Sequence, residues 1–190
     1  CYRTFDNSKW VYTDNRIRGE CSNTMSNLLV QNIKHTNGTT AQTIDSSGRI
    51  TEPQKPSVTI DISTSGYVNV SNGDPIPFNS VQFSQGGGDS AFNTSTYKFA
   101  CPLSGIYLCT FFALAESSEN NLDVSLYNGS TRVQRIYQST NRGISGTGVI
   151  VASANDLLYY VNSVGATRGF LGAGGDANNR YTIASFTFLG

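Results

Sequence analysis

The sequence predicts an all-β protein: two stacked antiparallel sheets over residues 57–190, behind an N-terminal segment, 1–56, that contains a short helix. Three observations carry this. Tyr107, Cys109 and Phe111 recur at every second position of an apolar run, the period of one strand face. Asn128-Gly129 and Asn155-Asp156 punctuate such runs as turns. Gly, Ser, Thr and Asn are abundant while Tyr and Phe supply the large apolar side chains, the composition of a turn-rich β protein.

The elements follow in order. The opening stretch 1–21 is aromatic and of mixed charge, flanked by Cys1 and Cys21, and reads as a small closed cap. Met25, Leu28, Leu29 and Ile33 then lie on one helical stripe. Ser22 or Asn23 caps its start, Lys34 and His35 suit its end, and Gly38 stops it. So short a helix needs a surface to dock on, either its own domain or a second subunit. Residues 39–56, with Pro53 and Pro56, read as a linker. From Ser57 the chain becomes a series of short strands, beginning with the alternating Val58, Ile60 and Ile62. Segments 76–78 and 81–83 lead into the run Gly86-Gly87-Gly88. Further strands are expected at 105–114, 122–127, 132–137, 146–153, 157–161 and 181–189.

Composition bounds the function. The 190 residues carry 13 basic and 13 acidic side chains, a formal net charge of zero, without the basic stripe that nucleic-acid binding requires. No run of about twenty apolar residues is present, so membrane insertion is not expected. A chain that begins at Cys1 reads as one whose signal peptide was removed. The sequons at Asn37, Asn69, Asn93 and Asn128 agree with a secreted, extracellular glycoprotein. The four cysteines allow three pairings. A Cys1–Cys21 bridge closing the cap is the first expectation, and a local Cys101–Cys109 bridge is possible if Cys101 and Phe99 lie near the start of the Cys109 strand. An interchain bond through Cys1 or Cys21 is the competing reading. With His35 the only histidine and no CxxC, no metal site is expected.

The stretch 92–112, FNTSTYKFACPLSGIYLCTFF, places Phe92, Phe99, Gly105, Tyr107 and Phe111 at set intervals. That spacing resembles the signature of the globular head of complement component one, subcomponent q, within the tumour-necrosis-factor-like superfamily. Segments 74–83, 122–137 and 146–161 are similar to the family's neighbouring strands. Cys109 replaces a usual Phe, Gly87 an expected Asn or Asp, and the closing strand lacks the common Ser-Gly-Phe ending. The resemblance implies a secreted jelly roll that associates as a homo-oligomer, a trimer or a dimer. Such domains bind proteins, glycans or microbial surfaces. Having no Gly-X-Y stalk in this sequence, the chain looks most like the stalkless sialic-acid-binding lectins of molluscs.

That implication directs attention to the loops. No enzyme is expected, and no cofactor: His35 lacks a nucleophile nearby in sequence, and Gly172-Ala173-Gly174-Gly175 precedes no helix, as a phosphate loop would. A sialic acid offers a carboxylate, best held by Arg, and an acetyl methyl that suits an aromatic wall. Arg142, Arg168 with Phe170, and the run Asp176, Asn179, Arg180 and Tyr181 are the candidate sugar-binding residues. Asp176 is alternatively a lone calcium ligand. Sialylated glycans or glycoproteins are the expected partners, engaged through several sites on an agglutinin-like oligomer. The alternatives are a protein-binding innate-immune ligand and a structural matrix component.

Overall fold

The computed structural model describes residues 31–190, apart from 39, 53, 117–120, 139–141 and 174–179, together with two short strands near the N-terminus. The chain divides into two compact units, Cys1–Val30 and Gln31–Gly190. In the first, β1 (Phe5–Asp6) and β2 (Lys9–Trp10) pair antiparallel, with Phe5 opposite Trp10. Cys1 and Cys21, and the expected helix as far as Val30, lie outside the described residues.

The second unit opens with a three-stranded antiparallel sheet of β3 (Asn32–Lys34), β4 (Thr40–Ile44) and β5 (Ile50–Thr51). Here the structure departs from the sequence reading. Ile33 and Lys34, taken as the end of a helix, pair with Gln42 and Thr40. Gly38, taken as a helix stop, adopts φ +89° in the turn between β3 and β4. The expected linker contains β4, whose Thr40 and Ile44 are β-branched and suit a pleat better than a coil. Asp45 organises the next turn by accepting the N–H groups of Ser47 and Arg49 and pairing with the Arg49 guanidinium at 2.7 Å. These bonds hold its carboxyl below the ordinary range, the Arg49 N–H being the largest cause.

The remaining elements build a jelly-roll-like sandwich. They are β6 (Ser57–Asp61), β7 (Tyr67–Val70), β8 (Ser80–Gln85), α1 (Gly88–Ala91), β9 (Phe92–Asn93), β10 (Lys98–Ala100) and β11 (Gly105–Leu114). There follow β12 (Leu122–Asn128), β13 (Thr131–Gln138), β14 (Gly143–Ala152), β15 (Leu157–Asn162), β16 (Arg168–Leu171) and β17 (Thr182–Phe188). One five-stranded sheet has the order β13-β12-β15-β10-β9; the other has β14-β11-β17-β6-β8. Both are antiparallel throughout, and β7 and β16 form a separate two-stranded ribbon. Among the described residues, the single-turn α1 is the only helix, and no helix is long and apolar enough to cross a membrane.

Aromatic side chains lock the sheets together. Phe99 of β10 stacks on Phe186 of β17 at 5.1 Å, and Tyr160 of β15 meets Phe111 of β11 at 4.8 Å. Such pairs add about 0.5–1.5 kcal/mol each beyond the area they bury. The spacing of residues 92–112 now has a physical meaning. Phe92 and Phe99 are opposite each other across β9 and β10, both in the core. Between them Asn93 accepts the N–H groups of Ser95 and Thr96, and Tyr97 takes φ +60°. Gly105 lies so close to the chain end that a Cβ there would come within 2.6 Å of the Gly190 oxygen. Tyr107 donates its hydroxyl to the Leu103 carbonyl at 2.8 Å and accepts the Leu103 N–H, closing the turn before β11.

The expected Cys101–Cys109 bridge is not formed; both thiols are free and buried. Cys109 occupies a core-facing position of β11 between Tyr107 and Phe111, opposite Phe186 of β17, where it acts as a small apolar side chain. Cys101 is fixed elsewhere, its backbone exchanging hydrogen bonds with Asn155 and Asp156. Burial pushes both thiols up to about 12.

Candidate functional site

Candidate residues gather at one end of the sandwich, around Ala115. The Ala115 N–H donates to the Arg142 carbonyl, Ala115 bridges to Phe170, and the Glu116 N–H donates to the Gly169 carbonyl. Leu114 donates to the Tyr181 carbonyl, which brings Arg180 and Tyr181 to the same end. The loops chosen from the sequence therefore do converge. Asp176 and Asn179 lie outside the described residues.

The side chains they carry are already engaged. Arg142 donates to the Ala115 carbonyl at 3.2 Å and to the Tyr67 hydroxyl at 2.9 Å. Arg168 donates to the carbonyls of Asn121 and Thr167. Arg180 forms an ion pair with Asp61, whose side chain is 1% exposed and whose other oxygen accepts the Gln82 amide at 2.8 Å. Phe170, expected as an aromatic wall, is 0% exposed: it belongs to β16 and packs into the core. Tyr181 is half-buried. Among the described residues no three His, Cys, Asp or Glu side chains stand together as metal ligands.

The sequons occupy different settings. Asn37, Asn69 and Asn93 are exposed. Asn128 is half-buried, and its amide donates to Asp156 at 2.9 Å. That bond is the main cause of the lowered Asp156 pKa, with the Ser153 N–H adding to it.

A surface that loop-directed reasoning missed lies on the sheet of β14, β11, β17, β6 and β8, on the side away from the core. Ile106 and Phe112 of β11 are about two-fifths exposed there, and Val149 and Val151 of β14 are 62% and 79% exposed. Register makes them neighbours, with Ile106 opposite Val151 and Leu108 opposite Val149. Phe83 of β8, 54% exposed, stands opposite Thr59 across the same sheet. The middle of this face is lined with hydroxyls bonded to one another: Thr110 to Ser185 at 2.6 Å and Ser57 to Thr187 at 3.1 Å. Across its five strands the only charged residue is Asp61, which Arg180 neutralises. The sequence did contain a signal for this surface. In GIYLCTFFAL both alternating sets are rich in apolar residues, the pattern of a strand covered on two faces.

Comparison with known proteins places this fold. A profile of the C1q domain matches residues 59–162. The globular domain of zebrafish complement 1qA is 18% identical, with a TM-score of 0.53, and the match covers 71% of this chain and 97% of that one. Eiger TNF from S. frugiperda is 15% identical, with a TM-score of 0.54, covering 72% of this chain and 94% of that one. Murine APRIL is 13% identical, with a TM-score of 0.51, covering 71% and 99%. No curated protein sequence matches the chain. The expectation of a sialic-acid-binding lectin is corrected by these findings. The similar folds are a complement head, Eiger TNF and APRIL, and the arginines chosen to hold a sugar carboxylate are bonded within the protein. The matched profile covers more than half of the sequence, and the chain belongs to the C1q domain family.

Proposed function

We propose that this chain is an extracellular, non-enzymatic protein-binding ligand domain that works as a homo-oligomer. The observation that carries the reading is the uncharged apolar face around Ile106, Phe112, Val149 and Val151. A contiguous apolar face on a sheet marks an association surface, because leaving it in water forfeits the free energy of burial, about 25 cal/mol per Å². A second copy is its natural occupant. The strands of this face carry no unpaired charge, so two copies meet without like-charge repulsion, and hydroxyls at its centre satisfy one another. Membership of the C1q family and the fold shared with Eiger TNF support a ligand role. Self-association would multiply weak contacts into useful avidity.

Light scattering coupled to gel filtration tests the reading. The wild type should elute as a stable dimer or trimer, and Val151→Asp should yield a folded monomer with an unchanged far-ultraviolet spectrum. A monomeric wild type at micromolar concentration would refute self-association. Haemagglutination blocked by free N-acetylneuraminic acid would refute the protein-ligand role.

A further inference from the structure

The other sheet presents a different surface. Its five strands carry three cations, Lys98, Arg132 and Arg135, and one acidic residue, Asp123. Because Leu122, Val124 and Leu126 point into the core, Asp123, Ser125 and Tyr127 lie on the outer side. Register aligns the neighbours. Tyr127 stands opposite Arg132 on β13 and opposite Tyr159 on β15.

The result is a row of four side chains across four strands. The Lys98 ammonium lies 4.3 Å from the centre of the Tyr159 ring. Tyr159 stacks on Tyr127 at 5.6 Å with the rings 22° apart, and Arg132 follows. The Tyr159 hydroxyl donates to the Gly129 carbonyl at 2.7 Å, which fixes the position of its ring. An aromatic ring is negative on its faces and positive at its edge. Here the faces of Tyr159 are occupied by Lys98 and Tyr127, so the stack turns ring edges outward between two cationic ends. The whole row favours negative charge.

Nearby carboxylates offset only part of it. Asp123 is 3% exposed and takes both the Nε and the Nη2 of Arg135, at 2.8 and 2.6 Å. Asp156, just before β15, is held by the neutral Asn128 amide and the Ser153 N–H and keeps its negative charge at the strand end. Arg132 is exposed and makes no hydrogen bond or ion pair with a described residue. With Arg135 paired to Asp123, Lys98 and Arg132 are the two cations left on these five strands, in a chain of zero net charge.

We propose that the Lys98–Tyr159–Tyr127–Arg132 row is the docking surface for an acidic segment of a partner protein. This rests on the protein-ligand reading above and adds to it the place and the charge of the partner. Two carboxylates spaced along an extended segment would meet Lys98 and Arg132, while the Tyr127 hydroxyl is available to donate between them. Such pairs at an interface rim set encounter rate and selectivity more than affinity.

Fluorescence anisotropy of a labelled oligoglutamate peptide tests this, with an oligoglutamine peptide as control and oligomer mass measured on the same samples. Saturable binding of the glutamate peptide alone is expected. Lys98→Gln combined with Arg132→Gln should weaken it about tenfold, the combined worth of two solvent-exposed ion pairs. Arg132→Gln alone should give part of that loss, so the test survives misfolding of the double variant. Equal binding of the glutamine peptide, no loss in the variants, or row-dependent binding of heparin without binding of glutamate would overturn the proposal. If the protein assembles but does not bind the peptide, the surface assignment fails and the oligomeric ligand stands. If it binds as a monomer, the reverse holds.

Discussion

Replacing Arg180 with Ala separates two incompatible roles for one side chain. A loop arginine that waits for a sugar carboxylate could be removed at little cost to folding, within about 0.5 kcal/mol. The structure instead gives Arg180 a fixed task. Asp61 is fully buried on β6, and Arg180 and the Gln82 amide are the donors to its carboxylate. Removing Arg180 leaves one oxygen of a buried anion without a partner. Breaking a buried pair from one side costs about 3–5 kcal/mol; with the Arg180 side chain 31% exposed, water can reach the gap and about 3 kcal/mol is expected. For a domain of this size that lowers Tm by about 6–12 °C.

Urea unfolding and calorimetry would measure this loss, preferably in a Val151→Asp background so that assembly does not contribute. Arg180→Lys should recover part of the stability, since it restores the charge without the planar fork. Asp61→Asn paired with Arg180→Gln should cost less than the two single losses added together. A change below about 0.5 kcal/mol for Arg180→Ala would refute the structural role.

Two further outcomes follow from the core. Cys101 and Cys109 should resist Ellman's reagent in the native protein and react once it is unfolded. Because burial raises both to about 12 from an ordinary 9.0, the unfolded chain loses its thiol protons first. The stabilisation is therefore whole below pH 9 and declines as pH rises toward 12, which urea midpoints across that range would show. Fast native labelling of either residue, mapped by mass spectrometry, would contradict the burial. Separately, Gly88→Ala should destabilise by about 2 kcal/mol or more, since its Cβ would sit 2.1 Å from the Ser57 carbonyl oxygen. Gly129→Ala, at φ +58° with open space around it, should cost about 1–2 kcal/mol through backbone strain alone. Equal unfolding midpoints for wild type and Gly88→Ala would refute that packing.

The sandwich was legible where sequence patterns and tertiary demands coincide. The strand expected at 105–114 is found as β11 at the same residues, and Asn155 takes φ +70° in the turn before β15. Asn128-Gly129 joins β12 to β13 as its turn chemistry requires, with Gly129 at φ +58°. Legibility failed where elements are too short to establish a period. Three residues of β3 cannot display alternation, so Ile33 was absorbed into a helical stripe that β4 overrides by pairing. From sequence, residues 167–170 read as a ligand loop because an Arg beside a Phe is suggestive chemistry. In the structure β16 pairs with β7, and that pairing turns Phe170 inward. Arg142, Arg168 and Arg180 lie near one end of the sandwich, yet what they bind depends on Asp61, Asn121 and Tyr67, all distant in sequence.

The outer faces of the two sheets explain why one fold can serve both assembly and recognition. In β12, LDVSLYN, apolar residues alternate with polar ones, and of the outer set Asp123 is buried against Arg135 while Tyr127 stacks on Tyr159. In β11, Ile106, Leu108 and Phe112 form an apolar set opposite Tyr107, Cys109 and Phe111, so solvating that side is unfavourable. A sheet of the second kind favours a partner with a matching uncharged surface, which another copy of the same chain would supply in the proposed assembly. A sheet of the first kind gains nothing from meeting itself, because Lys98 and Arg132 would confront their own images and repel. On the proposed assembly, the charge pattern would select the uncharged face and leave the cationic row on the outside of each copy.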